Sequence, residues 1–293
     1  MELIYLFNGL GNQMSQYALY LSKKEIHSKD VYYVYNKFSD EHNGYELDKI
    51  FGIERTNVIL SNFSGFLYRI FLSTKYPGLL KTIRFILKGL SIYMILEAIN
   101  YDFNPNVLKY NRGIIFYYGG WHSEKYFCNQ ENLIRTRFTF DDNKLNVKSK
   151  HIREDILSQN SISIHIRKGD YLLEKHYKTF GCVCDLEYYQ EAVSYICERV
   201  DKPVFYIFSN DFGWVKDNII LDNAVYVDWN NDNDSWMDMC LMTHCKHNII
   251  SNSTFSWWGA WLNNYKNKIV VRPSEFIHNV ETRDIYPEQW IKI

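Results

Sequence analysis

The chain has 293 residues, with 33 Lys and Arg against 34 Asp and Glu and a formal net charge of -1. This length predicts two domains with a core each. Near neutrality excludes a protein whose partner is bulk nucleic acid. Charge is uneven: Lys and Arg stand to Asp and Glu as 19 to 14 in residues 1–150 and as 14 to 20 in the remainder, so the first half is the basic one. The 24 Tyr, 18 Phe and 8 Trp are an aromatic content that fills cores and interfaces or lines carbohydrate and nucleobase sites. Six cysteines without a CxxC pair, and no secretory leader ahead of Leu3, predict free thiols in a reducing compartment. No stretch offers the roughly twenty uncharged apolar residues of a membrane span, which predicts a soluble or peripheral protein.

Residues 2–7 read as a first strand, and Asn8-Gly9-Leu10-Gly11-Asn12-Gln13 as the tight turn into a helix from Met14 to about Lys24. That is the opening of a Rossmann-like unit, where a glycine turn lets a ligand approach backbone N–H groups. Residues 31–35 supply a second strand. Between Phe63 and Leu96 the chain carries Arg69, Lys75, Lys81, Arg84 and Lys88 and no acid, interleaved with apolar residues at helical spacing. This composition fits either an interfacial membrane helix or a helical insertion packed on the core with a solvated basic face. Residues 114–118 form a strand that ends in the loop Gly119-Gly120-Trp121-His122-Ser123-Glu124, and 141–150 is the best candidate linker. The domains are accordingly expected at 1–145 and 146–293.

After the linker the pattern becomes regular. Strands at 161–166, 203–208, 224–227, 247–250 and 268–271 alternate with helical runs near 185–200, 212–218, 234–243 and 255–263. Such alternation predicts a parallel sheet covered on both faces, with ligands at the carboxyl ends of the strands. Those ends carry Arg167, Lys168 and Asp170 after His165, then Ser209-Asn210-Asp211, then Ser251-Asn252-Ser253-Thr254 before the apolar helix that begins at Phe255. A helix start furnished with Ser, Asn and Thr and no acid favours a phosphate, and Arg167 adds a fork for a diphosphate. Cys240, His244, Cys245 and His247 have ligand chemistry, but a helix face and a following strand divide them, and no metal site is expected there.

The run His165-Ile166-Arg167-Lys168-Gly169-Asp170-Tyr171 resembles the His-x-Arg-Arg-Gly-Asp-Tyr motif of the alpha-1,2-fucosyltransferases, family 11 of the glycosyltransferases. Four further blocks follow the same family in order: 9–13, 120–127, 208–211 and 251–259. The resemblance implies an α/β fold of two Rossmann-like domains facing a cleft, GT-B-like, with GDP-fucose held mainly by the second. It implies inverting transfer of fucose to the 2-hydroxyl of a terminal galactose on an oligosaccharide or glycolipid, with no cofactor and no metal. On this reading Arg167 and Asp170 are catalytic. His165, Lys168, Asn12, Gln13, Ser209, Asn210, Asp211, Asn252, Ser253, Thr254 and Phe255 hold the nucleotide sugar, and Trp121, His122 and Glu124 meet the acceptor.

Asp170 is the obvious carboxylate but, beside Arg167 and Lys168, a poor proton acceptor, so positioning the turn or holding Arg167 is its other role. Lys168, His122 and Ser15 depart from the residues usual in the family, which touches phosphate binding and acceptor recognition. The competing readings are transfer with another sugar nucleotide or linkage, and a non-catalytic glycan-binding scaffold. The expected location is the cytoplasm of a bacterium, peripheral on the inner face of the plasma membrane through the 63–96 segment.

Overall fold

The computed structural model describes residues 1–27, 30–35, 42–55, 58–110 and 112–293. They divide into two compact units, Met1–Thr139 and Phe140–Ile293.

The first unit runs β1 (Glu2–Leu6), α1 (Leu10–His27), β2 (Val31–Tyr35), α2 (Leu47–Phe51), α3 (Val58–Leu72), α4 (Pro77–Gly89), β3 (Ile92–Leu96), α5 (Pro105–Lys109), β4 (Ile114–Tyr118) and α6 (Glu131–Arg137). Among the described residues its sheet has the order β2-β1-β4-β3, and every pairing is parallel. The segment expected to be helical to Leu96 therefore ends in a strand: Ile92-Tyr93-Met94-Ile95-Leu96 is a short apolar run of β-favouring residues, and it pairs with β4 along its length. Helix α3 buries Ser64, Leu67 and Tyr68, and the Tyr68 hydroxyl donates to the carbonyls of Leu3 and Tyr117 across the sheet.

One buried ion pair organises this unit. The Lys23 ammonium on α1 lies 2.7 Å from Glu2 Oε2 on β1 and also donates to the carbonyls of Val107 (2.6 Å) and Tyr110 (3.0 Å). Glu2 Oε2 accepts a further bond of 2.7 Å from the Tyr117 hydroxyl. Burial pushes the Lys23 ammonium below its ordinary pKa, and the Glu2 carboxylate offsets only part of that cost.

The second unit runs α7 (Val147–Ser158), β5 (Ser161–Ile166), the single turn α8 (Glu174–His176), α9 (Leu186–Cys197), β6 (Val204–Ser209), α10 (Phe212–Asn218), β7 (Ala224–Tyr226), α11 (Trp236–His244), β8 (His247–Ile249), α12 (Thr254–Leu262), β9 (Val270–Arg272) and β10 (Ile291–Lys292). The strand order is β10-β9-β8-β5-β6-β7, again with parallel pairings. Side chains alternate across β6: Phe205 and Ile207 pack with α9 and α10, Tyr206 and Phe208 with α7 and α11. Both faces are covered, as a parallel sheet requires.

The stretch 141–150 is folded rather than a linker. Asn146 caps α7 by accepting the Ser149 N–H at 2.8 Å, and Ile152 and Ile156 bury the helix on the sheet. Phe140 stacks on Trp236 and Asp142 pairs with Arg153 and His244, so residues 140–145, expected with the first domain, pack within the second unit. Two buried apolar positions in a polar run are too faint a stripe to announce a helix.

Replacing Lys23 by Met leaves the Glu2 carboxylate buried without its cation, and breaking a buried pair in this way costs about 3–5 kcal/mol. Urea unfolding of Lys23→Met should report a loss of that size, and adding Glu2→Gln should recover part of it. A neutral Lys23→Met would show that the pair does not organise the unit.

Candidate functional site

In the second unit the register sets one edge of the sheet. Ile166 of β5 lies opposite Ser209 of β6, and Ile164 lies opposite Ile249 of β8. The loops that begin at Arg167 and Asn210 therefore leave adjacent strands at the same level, and the loop that begins at Ile250 leaves β8 two residues earlier on the same edge.

Arg167 presents one edge of its guanidinium to Asp170, with Nε 2.8 Å from Oδ1 and Nη2 3.0 Å from Oδ2. Asn210 locks the pair from the neighbouring loop: its Nδ2 donates to Asp170 Oδ1 at 3.1 Å, while its Oδ1 accepts the Lys168 N–H at 3.0 Å. Gly169 is required at this junction, because a Cβ there would lie 2.5 Å from Asn210 Nδ2. Arg167 keeps 23% and Asp170 33% of side-chain exposure, and the Arg167 ring of donors also lies over Tyr171. A guanidinium held side-on in this way keeps its outer N–H groups for a second bidentate acceptor, the geometry that suits a phosphate or diphosphate.

Other expected residues have different duties. The Lys168 ammonium is buried, donates to the Cys184 carbonyl at 2.7 Å and lies over the Trp214 ring. Burial lowers its pKa, so it supports the turn from inside and does not present its charge at the rim. His165 is buried against Phe255, with Nδ1 2.9 Å from Ser251 Oγ. Burial, with the Arg167 charge, pushes its imidazole down to about 3, which leaves a neutral ring tying β5 to the loop after β8. Asn252 donates to the carbonyls of Phe180 and Phe276. Ser253 caps α12 by accepting the Phe255 N–H, Ser209 accepts the Asp211 N–H, and Asp211 caps α10 through the Trp214 N–H. Thr254 and Phe255 remain half-buried at the start of α12.

Asp142, Cys240 and His244 gather three ligand-type atoms within 4.8 Å of one another. Arg153 Nη2 already sits 2.6 Å from Asp142 Oδ2, and burial holds the Cys240 thiol well above its ordinary pKa. A guanidinium and a protonated thiol make this a polar clasp between α7, α11 and the segment before them. His247 is elsewhere, its Nδ1 accepting the Ile269 N–H.

In the first unit the glycine turn is built around amides. Gln13 is fully buried; its Nε2 donates to the carbonyls of Asn8 and Gly44 and its Oε1 accepts the Glu46 N–H. Gln13 therefore staples three segments instead of reaching a ligand, while Asn12 is half-exposed beside it. Gln16 joins the ends of β1 and β4, accepting the Phe7 N–H and donating to the Gly119 carbonyl.

The loop after β4 is held by a residue the sequence reading passed over. Glu97, immediately after β3, accepts the N–H groups of Gly120 at 2.6 Å and Trp121 at 2.9 Å on Oε2, and its Oε1 is buried with no hydrogen-bond partner among the described residues. Trp121 adopts a positive φ of 55°, and a Cβ on Gly120 would meet His122 Nε2 at 2.1 Å, so the carboxylate grips a strained turn. Desolvation outweighs the backbone donors and pushes Glu97 up to about 7. Trp121 and His122, expected to meet the acceptor, are enclosed: Trp121 is 0% exposed between Tyr117 and Tyr126, and His122 is buried against Tyr101, its imidazole pushed down to about 3. Glu124 is half-exposed at the start of a short 3-10 turn.

The model described as glycosyl transferase family 11 matches residues 3–293. An alpha-1,2-colitosyltransferase of Escherichia coli is 32% identical over 299 residues, covering 98% of this chain and 97% of its own. WbnK, an O-antigen biosynthesis glycosyltransferase of the same organism, is 28% identical over 308 residues, covering 98% of this chain and 99% of its own. Among solved structures, the alpha-1,6-fucosyltransferase NodZ co-crystallized with GDP has a TM-score of 0.51 at 13% identity, covering 88% of this chain and 90% of that one; this NodZ is from Bradyrhizobium. The likeness is one of fold: α/β with parallel sheets, of the GT-B type.

Because Glu97 has a raised pKa in the folded protein, the native state binds the extra proton between about 4.5 and 7. Its contribution is complete at low pH and is lost as pH rises through that window, roughly 3 kcal/mol in all. Comparing denaturation midpoints of the wild type and Glu97→Gln across this range should show a steeper fall for the wild type. Parallel curves would mean that Glu97 does not titrate there.

Proposed function

The chain belongs to glycosyl transferase family 11, and we propose that it transfers L-fucose from GDP-fucose to the 2-hydroxyl of a terminal galactoside, with inversion, in the synthesis of a bacterial surface glycan. The observation that carries this reading is the Arg167 guanidinium, fixed along one edge by Asp170, which Asn210 holds in turn, with its outer N–H groups turned away from that pair toward the diphosphate of this reading. The motif around Arg167 supports the donor, and the alpha-1,2 linkage named for the colitosyl relative supports the position of transfer. Protein donors neutralise the leaving group on this reading, and no metal or cofactor enters the step.

The reaction is a single displacement. The galactose oxygen forms a bond to the anomeric carbon while the bond from that carbon to the β-phosphate oxygen breaks, and GDP departs with the electron pair. Arg167 stabilises the charge that grows on the β-phosphate, with the start of α12 beside it. The hydroxyl becomes acidic as its oxygen bonds to the oxocarbenium-like carbon, so its proton leaves late, to water. Asp170 acts by holding Arg167: Oδ1 takes bonds from Arg167 and Asn210, and Oδ2 a second bond from Arg167. A carboxylate so engaged is a positioning residue. The acceptor is a galactose-terminated oligosaccharide or glycolipid, met on the cytoplasmic side where the nucleotide sugar is available.

Arg167→Ala should lower turnover about 10²–10³-fold, and Arg167→Lys should be nearly as poor because a point charge does not reproduce the fork. Asp170→Asn, which puts an amide donor where a carboxylate oxygen now accepts from Arg167 or Asn210, should lower turnover by loosening Arg167 while leaving the pH profile unchanged, whereas loss of a general base would change the profile as well. Wild-type turnover in Arg167→Ala would sink the assignment.

Product analysis by mass and NMR, with GDP-fucose, a colitosyl donor, GDP-mannose and UDP-galactose against lactose, tests donor and linkage. Fucosyl transfer to the galactose 2-hydroxyl is the expected product. Preferential colitosyl transfer would move the chain to its relative's donor. Failure to bind GDP by calorimetry would leave only a glycan-binding scaffold.

A further inference from the structure

The surface of α3 and α4 carries apolar side chains that the first unit does not cover. None of the residues of α4 is buried, although Leu79, Leu80, Ile83, Phe85, Ile86 and Leu87 are all apolar. One side of the helix, through Leu80, Ile83, Arg84 and Leu87, is half-buried. Arg84 fastens it by donating to the carbonyls of Ile70 and Ser73 at the end of α3.

The opposite side is exposed, with Leu79 at 62%, Phe85 at 78% and Ile86 at 55%. On α3, Phe63 and Phe66 are likewise at 50% and 63%. Globular helices place such residues inward, so exposed aromatic and aliphatic side chains along two successive helices mark a contact surface.

Charge identifies what the surface meets. From residue 56 to 96 there is no Asp or Glu, while Arg69, Lys75, Lys81, Arg84 and Lys88 are present. Lys81 and Lys88 lie one turn to either side of Phe85 and are exposed with it. Apolar rings flanked by long cations, with no acid, complement an apolar slab under a layer of anionic phosphates. The cations reach the headgroups while the rings enter the boundary below.

We propose that α3 and α4 seat the first unit on an anionic lipid bilayer, with Phe66, Phe85 and Ile86 entering the interface and Arg69, Lys81 and Lys88 binding lipid phosphates. No helix among the described residues is long and apolar enough to cross a membrane, so the attachment is peripheral and reversible. It stands independently of the donor and linkage proposed above. Where the acceptor is lipid-linked, docking brings the enzyme to the surface that presents it.

The test is flotation of the full chain with vesicles of phosphatidylglycerol mixed into phosphatidylcholine, against vesicles of phosphatidylcholine alone. Binding should require the anionic lipid and weaken with added salt. Each surface lysine contributes about fivefold in affinity, so K81E/K88E should lower binding at least about 25-fold. F85S/I86S should lower it at low salt as well, which separates insertion from pure charge attraction.

Because these side chains are exposed, both variants should keep the wild-type melting temperature. Both should also keep turnover on a soluble galactoside, so a failed catalytic assignment and a failed membrane assignment give different results. Equal binding to neutral vesicles, or K81E/K88E binding like wild type, overturns the proposal. So does a concentration-dependent dimer in sedimentation velocity that F85S/I86S abolishes while no vesicle binding is seen, since the surface would then belong to a second copy of the chain.

Discussion

The Arg167 guanidinium is presented in one fixed direction because Asp170, itself held by Asn210, already holds its other edge. A free arginine spends much of its interaction energy on losing rotamer freedom; one anchored by two bonds to a carboxylate has lost that freedom before a ligand arrives. The anchor depends in turn on the parallel register, which sets β5 beside β6 so that the loops after Ile166 and Ser209 meet at Gly169 and Asn210. Lys168 from below and His165 from the side then stiffen the turn through the Cys184 carbonyl and Ser251. The polar residues of this edge form a graded structure: one charged fork faces outward, and a buried layer of neutral or enclosed partners keeps it aimed.

That grading explains what the sequence could and could not convey. Apart from β3 and the terminal β10, the strands were legible because apolar alternation and the run lengths of a parallel sheet are written residue by residue, and the loops that leave their carboxyl ends were legible with them. The direction of each side chain was not. Lys168, adjacent to Arg167, has the composition of a phosphate ligand and the position of a core support, because successive residues at a strand end point to opposite sides. Gln13 and Trp121 sit in motifs and so looked like contacts, yet both are enclosed. Helix α7 was illegible for a different reason: its packing rests on few apolar positions and on the Asn146 cap, and a polar run with a weak stripe resembles a linker.

Glu97 shows how a residue can be missed while leaving a trace. It is the first acid after a stretch from 56 to 96 that has none, and it stands one residue beyond a strand end. With the segment to Leu96 expected to be helical, nothing marked Glu97; once Ile92–Leu96 is a strand, it falls at that strand's carboxyl end, beside the loop after β4. The strained Trp121 backbone and the close approach of His122 to Gly120 need a holder, and a carboxylate accepting consecutive N–H groups is a strong one. The cost is a buried carboxylate whose Oε1 has no hydrogen-bond partner among the described residues, and desolvation raises its pKa.

On the proposed reading donor choice does not follow from the phosphate grip, because every nucleoside diphosphate sugar would offer Arg167 the same oxygens. The family relative that is 32% identical is named for colitose, which is fucose without its 3-hydroxyl, so discrimination turns on one polar group of the sugar. The physics of that choice is asymmetric. A site that hydrogen-bonds the hydroxyl rejects the deoxy sugar by about 10⁴–10⁵, since its own buried polar groups are left unpaired, whereas an apolar site rejects the added hydroxyl by only about 10². A fucosyl site should therefore be nearly exclusive and a colitosyl site permissive. The ratio of the two turnovers, more than the presence of either product, identifies which chemistry the pocket was shaped to perform.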